Sequence, residues 1–279
     1  MRYVVFDLDQ TLADVSSVYF FIGSLTMDIP LLRASCFKEL RSQLGVAYGL
    51  WVHRVLEQEQ SDTPLGILRP GILDIMTKLY RLKRANQLDH VVIYSNNGVL
   101  SNLHFVKDLI HEHLHGTLIT DCIHWNHPLR EHDKNNRFMT KSWATLQRIL
   151  QEGPCQARTV EPSEVVFFDD MDHMNLQMAL ENYYQVPPYH MDAYARTAPL
   201  YQASLEEAQV NLSLLYHFFL HIFRIEHHGA VSSDMSQWMA LLRRITPSVI
   251  PSAPDGGIQM MKDVIRFTLL PVTPSSSPQ

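Results

Sequence analysis

The first twelve residues, Met1-Arg-Tyr-Val-Val-Phe-Asp-Leu-Asp-Gln-Thr-Leu12, constrain the fold more than any other stretch. Tyr3 to Phe6 is an apolar run of strand length. It ends in two aspartates, Asp7 and Asp9, with Thr11 two positions further on. In an open α/β sheet, ligands bind just past the carboxyl ends of the strands. A strand ending in acids therefore puts them where chemistry is usually done. Two carboxylates this close repel each other, and a bound divalent cation or a proton held by one of them relieves the repulsion. Either state serves catalysis, since one carboxylate can attack while its neighbour moves protons. The plainer alternative is a solvated acidic turn.

The pattern of an apolar strand and a chemical turn recurs twice. Val91-Val-Ile-Tyr94 ends in Ser95-Asn96-Asn97-Gly98, and Val165-Val-Phe-Phe168 ends in Asp169-Asp170. Helical stretches separate them. The first is expected over Ile29 to Gln60, where Leu32, Cys36, Leu40, Leu44, Trp51 and Val55 make one apolar stripe and Gly45 and Gly49 weaken the middle. Ahead of it, Val18 to Ile22 is a short apolar patch that reads as a flap over the site. Leu68-Arg-Pro-Gly71 opens a helix running to Arg84, with Ile72, Ile75, Met76 and Leu79 on one face. Leu100 to His115 is a further helix ending at Gly116, and Leu118 to Ile123 a strand. Trp125 to Arg137 reads as a surface loop. A helix follows to Leu150, with Lys141 at its start, and Gly153 to Ser163 reads as a linker. Met174 to Tyr184 reads as helix and Gln185 to His190, with its two prolines, as an edge segment.

These features resemble the haloacid dehalogenase (HAD) superfamily, whose opening motif is an apolar strand followed by Asp-x-Asp-x-Thr. The resemblance covers residues 1 to 190 and rests on four motifs in order. It implies an α/β fold, a Rossmann-like and mainly parallel sheet with flanking helices. In roles carried over from the family, Asp7 is the nucleophile and Asp9 the general acid/base. Ser95, Asn96 and Thr11 bind phosphate oxygens with Lys141, for which Lys134 is the competitor. Asp7, Asp9, Asp169 and Asp170 hold Mg²⁺, through the backbone carbonyl in the case of Asp9. Asp172 and Asn175 both stand where a further residue supports the metal.

Finer features are similar to the FCP/SCP-type phosphatases, which act on phosphoserine in the carboxy-terminal domain of RNA polymerase II. They are Asp7-Leu-Asp-Gln-Thr-Leu12, Arg69-Pro70-Gly71, Phe138 to Leu146 around Lys141, and Asn182 shortly before Val186-Pro187. The chain departs from that group in having Ser95-Asn96-Asn97 for its Thr-Ala-Ser and Met171-Asp172 for its Ser-Pro. The activity implied is Mg²⁺-dependent phosphomonoester hydrolysis through an aspartyl phosphate, on phosphoserine or phosphothreonine in proteins. The alternatives are a phosphatase of small metabolites, nucleotides or nucleic-acid ends, and a non-catalytic binding or scaffold protein.

Composition bounds the partners. With 46% hydrophobic and 19% charged residues there is ample material for a core. A net charge of −6 argues against a nucleic-acid-coating protein. Cys36, Cys122 and Cys155 have neither zinc spacing nor a disulfide framework, which fits a reducing compartment. With the catalytic strand at the amino terminus, no leader is expected. No apolar run approaches the ~20 residues that span a membrane, so an intracellular protein, cytoplasmic or nuclear, is expected. His111, His113, His115, His124, His127 and His132 do not fall into a zinc pattern.

The expected organisation is a catalytic domain over 1–200, including a small helical insertion at 15–66 that is either a modest lid or a helix packed on the sheet. A helical extension follows over 201–245, with an apolar face of Leu205, Ala208, Leu212, Leu215, Phe219 and Ile222 on one helix and Met235, Trp238, Met239 and Leu242 on the next. These helices pack on the sheet, on each other, or on a protein partner. Residues 246–279 read as linker and flexible tail.

Overall fold

The computed structural model describes residues 3–27, 37–130, 133, 141–152, 159–222, 234–246 and 257–269. Its centre is an all-parallel five-stranded sheet, made of β1 (Tyr3–Phe6), β2 (His90–Tyr94), β3 (Ile119–Ile123), β4 (Val165–Asp169) and β5 (Asn182–Gln185). Their spatial order is β3-β2-β1-β4-β5. The chain builds outward from β1 on one side, then crosses back and builds outward on the other. β1 and β4 lie at that reversal, paired Tyr3 to Val165 through Phe6 to Phe168. An open α/β sheet binds its ligands at such a reversal, and here two acidic strand ends meet there.

Alternation along the strands divides the core in two. Val4, Phe6, Val91, Ile93, Val166 and Phe168 face the larger cluster, which holds α1 (Tyr19–Leu25), α2 (Lys38–Glu59), α3 (Ile72–Arg84) and α4 (Leu100–Leu114). Tyr3, Val5, Val92, Tyr94 and Phe167 face the smaller one, with α5 (Trp143–Glu152) and α6 (Met174–Ala179). Strands buried on both faces are apolar without a break, which is why they stand out in the sequence.

Several expectations need correction. The Val18 to Ile22 patch is not a flap. It leads into α1, where Phe21 stacks on Tyr201 at 4.6 Å and Ile22 is buried. The insertion after β1 is likewise no lid in its described residues: Leu40, Leu44, Trp51 and Val55 of α2 are buried in the larger core, and Trp51 stacks on Phe105 of α4 at 4.7 Å. Its two ends are clamped together where Asp14 N–H donates to Ile67 O and Arg69 N–H to Leu12 O, both at 2.9 Å. Residues 28–36, including Leu32 and Cys36, lie outside the described residues, as do Cys155, His132 and Lys134.

The helix expected over Met174 to Tyr184 stops at Ala179, and Asn182–Gln185 is the fifth strand instead. Tyr183 stacks on Phe167 and Tyr184 on Phe168, at 5.6 and 5.7 Å. Aromatic cross-strand pairs of this kind hold an edge strand in place.

The boundary at residue 200 falls inside α7 (Tyr194–Glu207). The single helix expected from Leu205 breaks at Gln209, which is left-handed at φ 52°, and resumes as α8 (Leu212–Ile222). Tyr201, Leu205, Leu215 and Phe219 are buried in the same core as the parallel sheet, with Trp238 and Leu242 of α9 (Met235–Ile245). The apolar faces of these helices are thus turned inward. Part of the expected tail is ordered too: α10 (Gly257–Leu269) buries Met261 and Ile265 and packs Ile258 against Gly71 at the start of α3. Gly71 sits at φ 82° there, a conformation suited to glycine. Residues 247–256 and 270–279 lie outside the described residues.

No helix among the described residues is long and apolar enough to cross a membrane.

Candidate active site

Asp7 follows β1 and Asp169 ends β4, so the register of two adjacent strands brings them side by side. Lys141 Nζ fills the space between them, 2.5 Å from Asp7 Oδ1 and 2.6 Å from Asp169 Oδ2. All three residues are buried. Burial alone would lower the Lys141 pKa, but Asp169 and Asp7 outweigh it and raise it, so the ammonium stays charged. Burial pushes Asp7 up to about 6, with Lys141 opposing and Asp169 reinforcing the rise. Asp169 is raised by burial as well, against the pull of Lys141.

Asp9 stands on the other side of Asp7, at a sharp turn in which Gln10 is left-handed at φ 62°. Asn97 Nδ2 donates to both of its oxygens, at 3.2 and 3.1 Å, and Ser95 Oγ donates at 3.3 Å. Burial, then the neighbouring charge of Asp7, lifts Asp9 to about 7 despite those bonds. Asp170 faces the site from β4's end and is lifted to about 6 by burial and by Asp7. Thr11 Oγ1 donates to its Oδ1 at 3.3 Å.

Asp7, Asp169 and Asp170 can each turn a carboxylate oxygen to within 4.8 Å of the others, and they are the only such group of three among the described residues. Crowded hard oxygen donors with raised pKa values suit Mg²⁺. Asp169 is the least suited of the three to ligate directly. Its Oδ2 meets Lys141, and its Oδ1 accepts the Met171 N–H at 2.9 Å. Asp7 and Asp170 are the pair the arrangement favours.

The remaining expected residues are placed as follows. Ser95 is buried beside Asp9 and its Oγ accepts the Asn97 N–H at 3.0 Å. The Asn96 side chain turns away from the carboxylates, its Oδ1 accepting from Arg130 Nη2 at 2.7 Å. Thr11 is fully buried, and its hydroxyl donates to Asp170. Asp172 and Asn175 are exposed.

Three groups were missed by sequence reasoning. Asn97 is the amide that reaches Asp9. His173 lies buried behind Lys141, its Nδ1 accepting the Lys141 N–H at 3.4 Å and its Nε2 3.4 Å from Asp169. Burial, then Lys141 and Arg130, depresses it to about 3, so it is neutral. The third is a fully buried ion pair of Arg130 and Asp133, Nε to Oδ2 3.0 Å. Arg130 Nη1 donates to Ser95 O at 2.5 Å, while its guanidinium lies over the rings of Tyr94 and Trp125 at 4.5 and 4.9 Å. Asp133 accepts from Tyr94 Oη at 2.5 Å and from Ser142 Oγ at 2.7 Å. This network ties the turn after β2 to the segment carrying Lys141. Only the acidic-arginine spacing, Arg130 to Asp133, hinted at it in the sequence.

Two of the histidines, His111 and His113, serve local structure. His111 Nε2 accepts the N–H groups of Leu118 and Ile119, and His113 bridges Gln60 and Thr77.

No protein-family model matches the chain, and no curated protein sequence matches it.

Proposed function

We propose that this protein is a HAD-type phosphomonoester hydrolase working through an aspartyl phosphate, with phosphoserine or phosphothreonine in proteins as its substrate class. The observation that carries the reading is geometric: Asp7, Asp169 and Asp170 crowd around the buried Lys141 ammonium at the ends of β1 and β4, and Asp9 stands beside Asp7, held by Asn97 and Ser95. Asp7 is lifted to about 6 and paired with a buried ammonium, while Asp9 is lifted to about 7. The Lys141 ammonium favours the ionised form of Asp7, while burial and the neighbouring Asp7 charge favour a proton on Asp9. Those are the states required of a nucleophile and of a general acid.

In the first half-reaction an Asp7 oxygen attacks phosphorus and the bond to the leaving oxygen breaks. That oxygen takes the Asp9 proton. In the second, Asp9 takes a proton from water, the water oxygen attacks phosphorus, and the bond to Asp7 breaks to release phosphate. Lys141 supplies positive charge beside the attacking carboxylate throughout, and phosphoryl transfer depends chiefly on such positioning and neutralisation. Asp7 and Asp170, with Asp169 behind them, would hold Mg²⁺. When bound, it supplies further charge neutralisation for the phosphoryl oxygens.

The protein-substrate reading draws support from α2, which packs on the helices α1, α4 and α7, and from the partial exposure of Asp9 and Asp170. The test is hydrolysis of an aryl phosphate with and without Mg²⁺, followed by a panel of phosphopeptides, sugar phosphates and nucleotides. The expected result is Mg²⁺-dependent turnover that EDTA stops, that Asp7→Asn abolishes, and that extends to phosphopeptides. Turnover surviving exhaustive chelation, or full activity of Asp7→Asn, would contradict the reading. Turnover of sugar phosphates or nucleotides alone would move the substrate to small molecules.

A further inference from the structure

Large apolar side chains are exposed at five places among the described residues: Val46, Met171, Met174, Met178 and Met260. Three of the five fall within eight residues, immediately after the acidic pair. Met171 is 55% exposed, Met174 66% and Met178 83%. Met174 and Met178 are four apart on α6 and share one face. The opposite face of α6 is spoken for, since Leu176 is fully buried in the smaller core. Among the described residues, no core cluster includes the outer-face methionines, and glutamine or lysine would serve there as well.

The patch is also fixed relative to the carboxylates. Met171 N–H donates to Asp169 Oδ1 at 2.9 Å, and Met171 O accepts from Tyr183 Oη at 2.5 Å. Its first residue is therefore anchored to the residue that grips Lys141, and α6 leads away from the site's rim.

We infer that Met171, Met174 and Met178 form a docking strip for the polypeptide flanking the phosphorylated residue, with apolar side chains at alternate positions of that flank. The inference rests on the phosphatase reading and gives its substrate a chemistry. An extended peptide places every second side chain on one face, about 7 Å apart. Residues four apart on a helix are offset by about 6 Å along its axis, so two such side chains match Met174 and Met178. Methionine is unbranched and polarisable, and it adapts to varied apolar partners better than a branched side chain does. That favours a strip that reads hydrophobic character over one built for a single fixed surface, such as a second copy of this chain.

The experiment compares the wild type with Met174→Gln/Met178→Gln. These side chains lie outside the catalytic groups, so aryl phosphate turnover should be unchanged, which also reports correct folding. Phosphoserine peptides carry leucine at the second and fourth positions on either flank, or serine at the same positions. On one flank the wild type should prefer the leucine peptide about fivefold or more in kcat/KM, as partial burial of one or two leucines supplies. The double variant should lose that preference through KM, with kcat unchanged. Met178→Gln alone should move the same way by less.

Aryl phosphate turnover with no flank preference, or a preference the variant retains, would overturn the inference and leave the phosphatase reading standing. A wild type inert with Mg²⁺ on every substrate would remove both. A shift from dimer to monomer in sedimentation on substitution would assign the strip to a contact between copies and overturn the inference.

Discussion

Lys141 Nζ lies between Asp7 Oδ1 and Asp169 Oδ2, at 2.5 and 2.6 Å, so that one buried ammonium joins the ends of two adjacent parallel strands. Without it, two buried carboxylates would face each other across the β1–β4 pair. Its position depends on His173, which accepts the Lys141 backbone N–H, and on Ser142, whose hydroxyl is held by Asp133. A group proposed to act in phosphoryl transfer is thus also a structural one.

Lys141→Met should therefore lower stability as well as abolish phosphate turnover. Removing one partner of a buried ion pair costs about 3–5 kcal/mol, because the other charge is left uncompensated. The loss should be largest at pH 7.5 and smaller near pH 5, where Asp7 is mostly protonated and carries little charge. Urea unfolding at the two pH values measures both. An equal loss at each would show that packing, not charge, is what Lys141 contributes.

The activity profile should be bell-shaped. Asp7 must be ionised to attack, so the rising limb follows its pKa of about 6. Asp9 must be protonated to serve the leaving group, so the falling limb of kcat/KM follows its pKa of about 7. A divalent cation on Asp7 favours its ionised form and moves the rising limb down. Asn97 donates to both oxygens of Asp9 and so favours its ionised form. Asn97→Ala should accordingly move the falling limb to higher pH. A limb that moves down or stays put would remove Asp9 as its origin.

For the metal-free protein the sign runs the other way from that of most carboxylates. Asp7 and Asp170 are raised above the ordinary 3.8 to about 6, and Asp9 to about 7. The native state then binds more protons than the unfolded chain between about pH 4 and pH 7, and stability from these groups falls as pH rises through that window. Mg²⁺, proposed to bind the ionised carboxylates, should raise Tm above pH 7 and have little effect near pH 5. Thermal unfolding with and without Mg²⁺ across that range tests this. A Mg²⁺ shift of equal size at pH 5 would exclude Asp7 and Asp170 as its ligands.

How much of this was legible in the sequence depends on how local the signal was. Asp7, Asp9 and Asp170 follow doubly buried strands and Asp169 ends one, and the unbroken apolar runs mark where those strands end. β5 was missed because Asn182-Tyr-Tyr-Gln185 is short and its aromatic pairing partners, Phe167 and Phe168, lie on another strand. α10 was hidden by the proline and glycine before it, although Ile258, Met261 and Ile265 keep helical spacing. Asn97 and Asn96 are neighbours of the same type, and only the backbone turn decides which of them reaches Asp9. The Arg130 network needs β2, the Pro128–Arg130 turn and the segment before α5 to meet in space, which no periodicity records.

Gly45 and Gly49 give a stability prediction away from the site. Both lie inside α2, and an added Cβ at either would meet nothing within 4 Å. Neither has a positive φ. Alanine there should stabilise by about 0.5–1 kcal/mol each, by removing freedom from the unfolded chain. Denaturant midpoints should rise with activity unchanged. A fall in midpoint on either substitution would mean that close approach, invisible in this packing, requires glycine.

Arg130 separates a structural role from a catalytic one. Its guanidinium is fully buried, pairs with Asp133, holds Ser95 O, and lies between the rings of Tyr94 and Trp125. Asp133 has its own bonds to Tyr94 and Ser142 and would remain buried without its partner. Arg130→Met should thus cost about 3–5 kcal/mol, and Asp133→Asn about as much, since each strands a charge. The double variant should lose clearly less than the sum, because neither charge remains. Turnover should fall as the turn carrying Ser95 and Asn97 loosens, while the Asp7 limb of the pH profile, set by burial, Lys141 and Asp169, stays in place. If that limb moved, Arg130 would be acting on the nucleophile's charge and not on the turn's position.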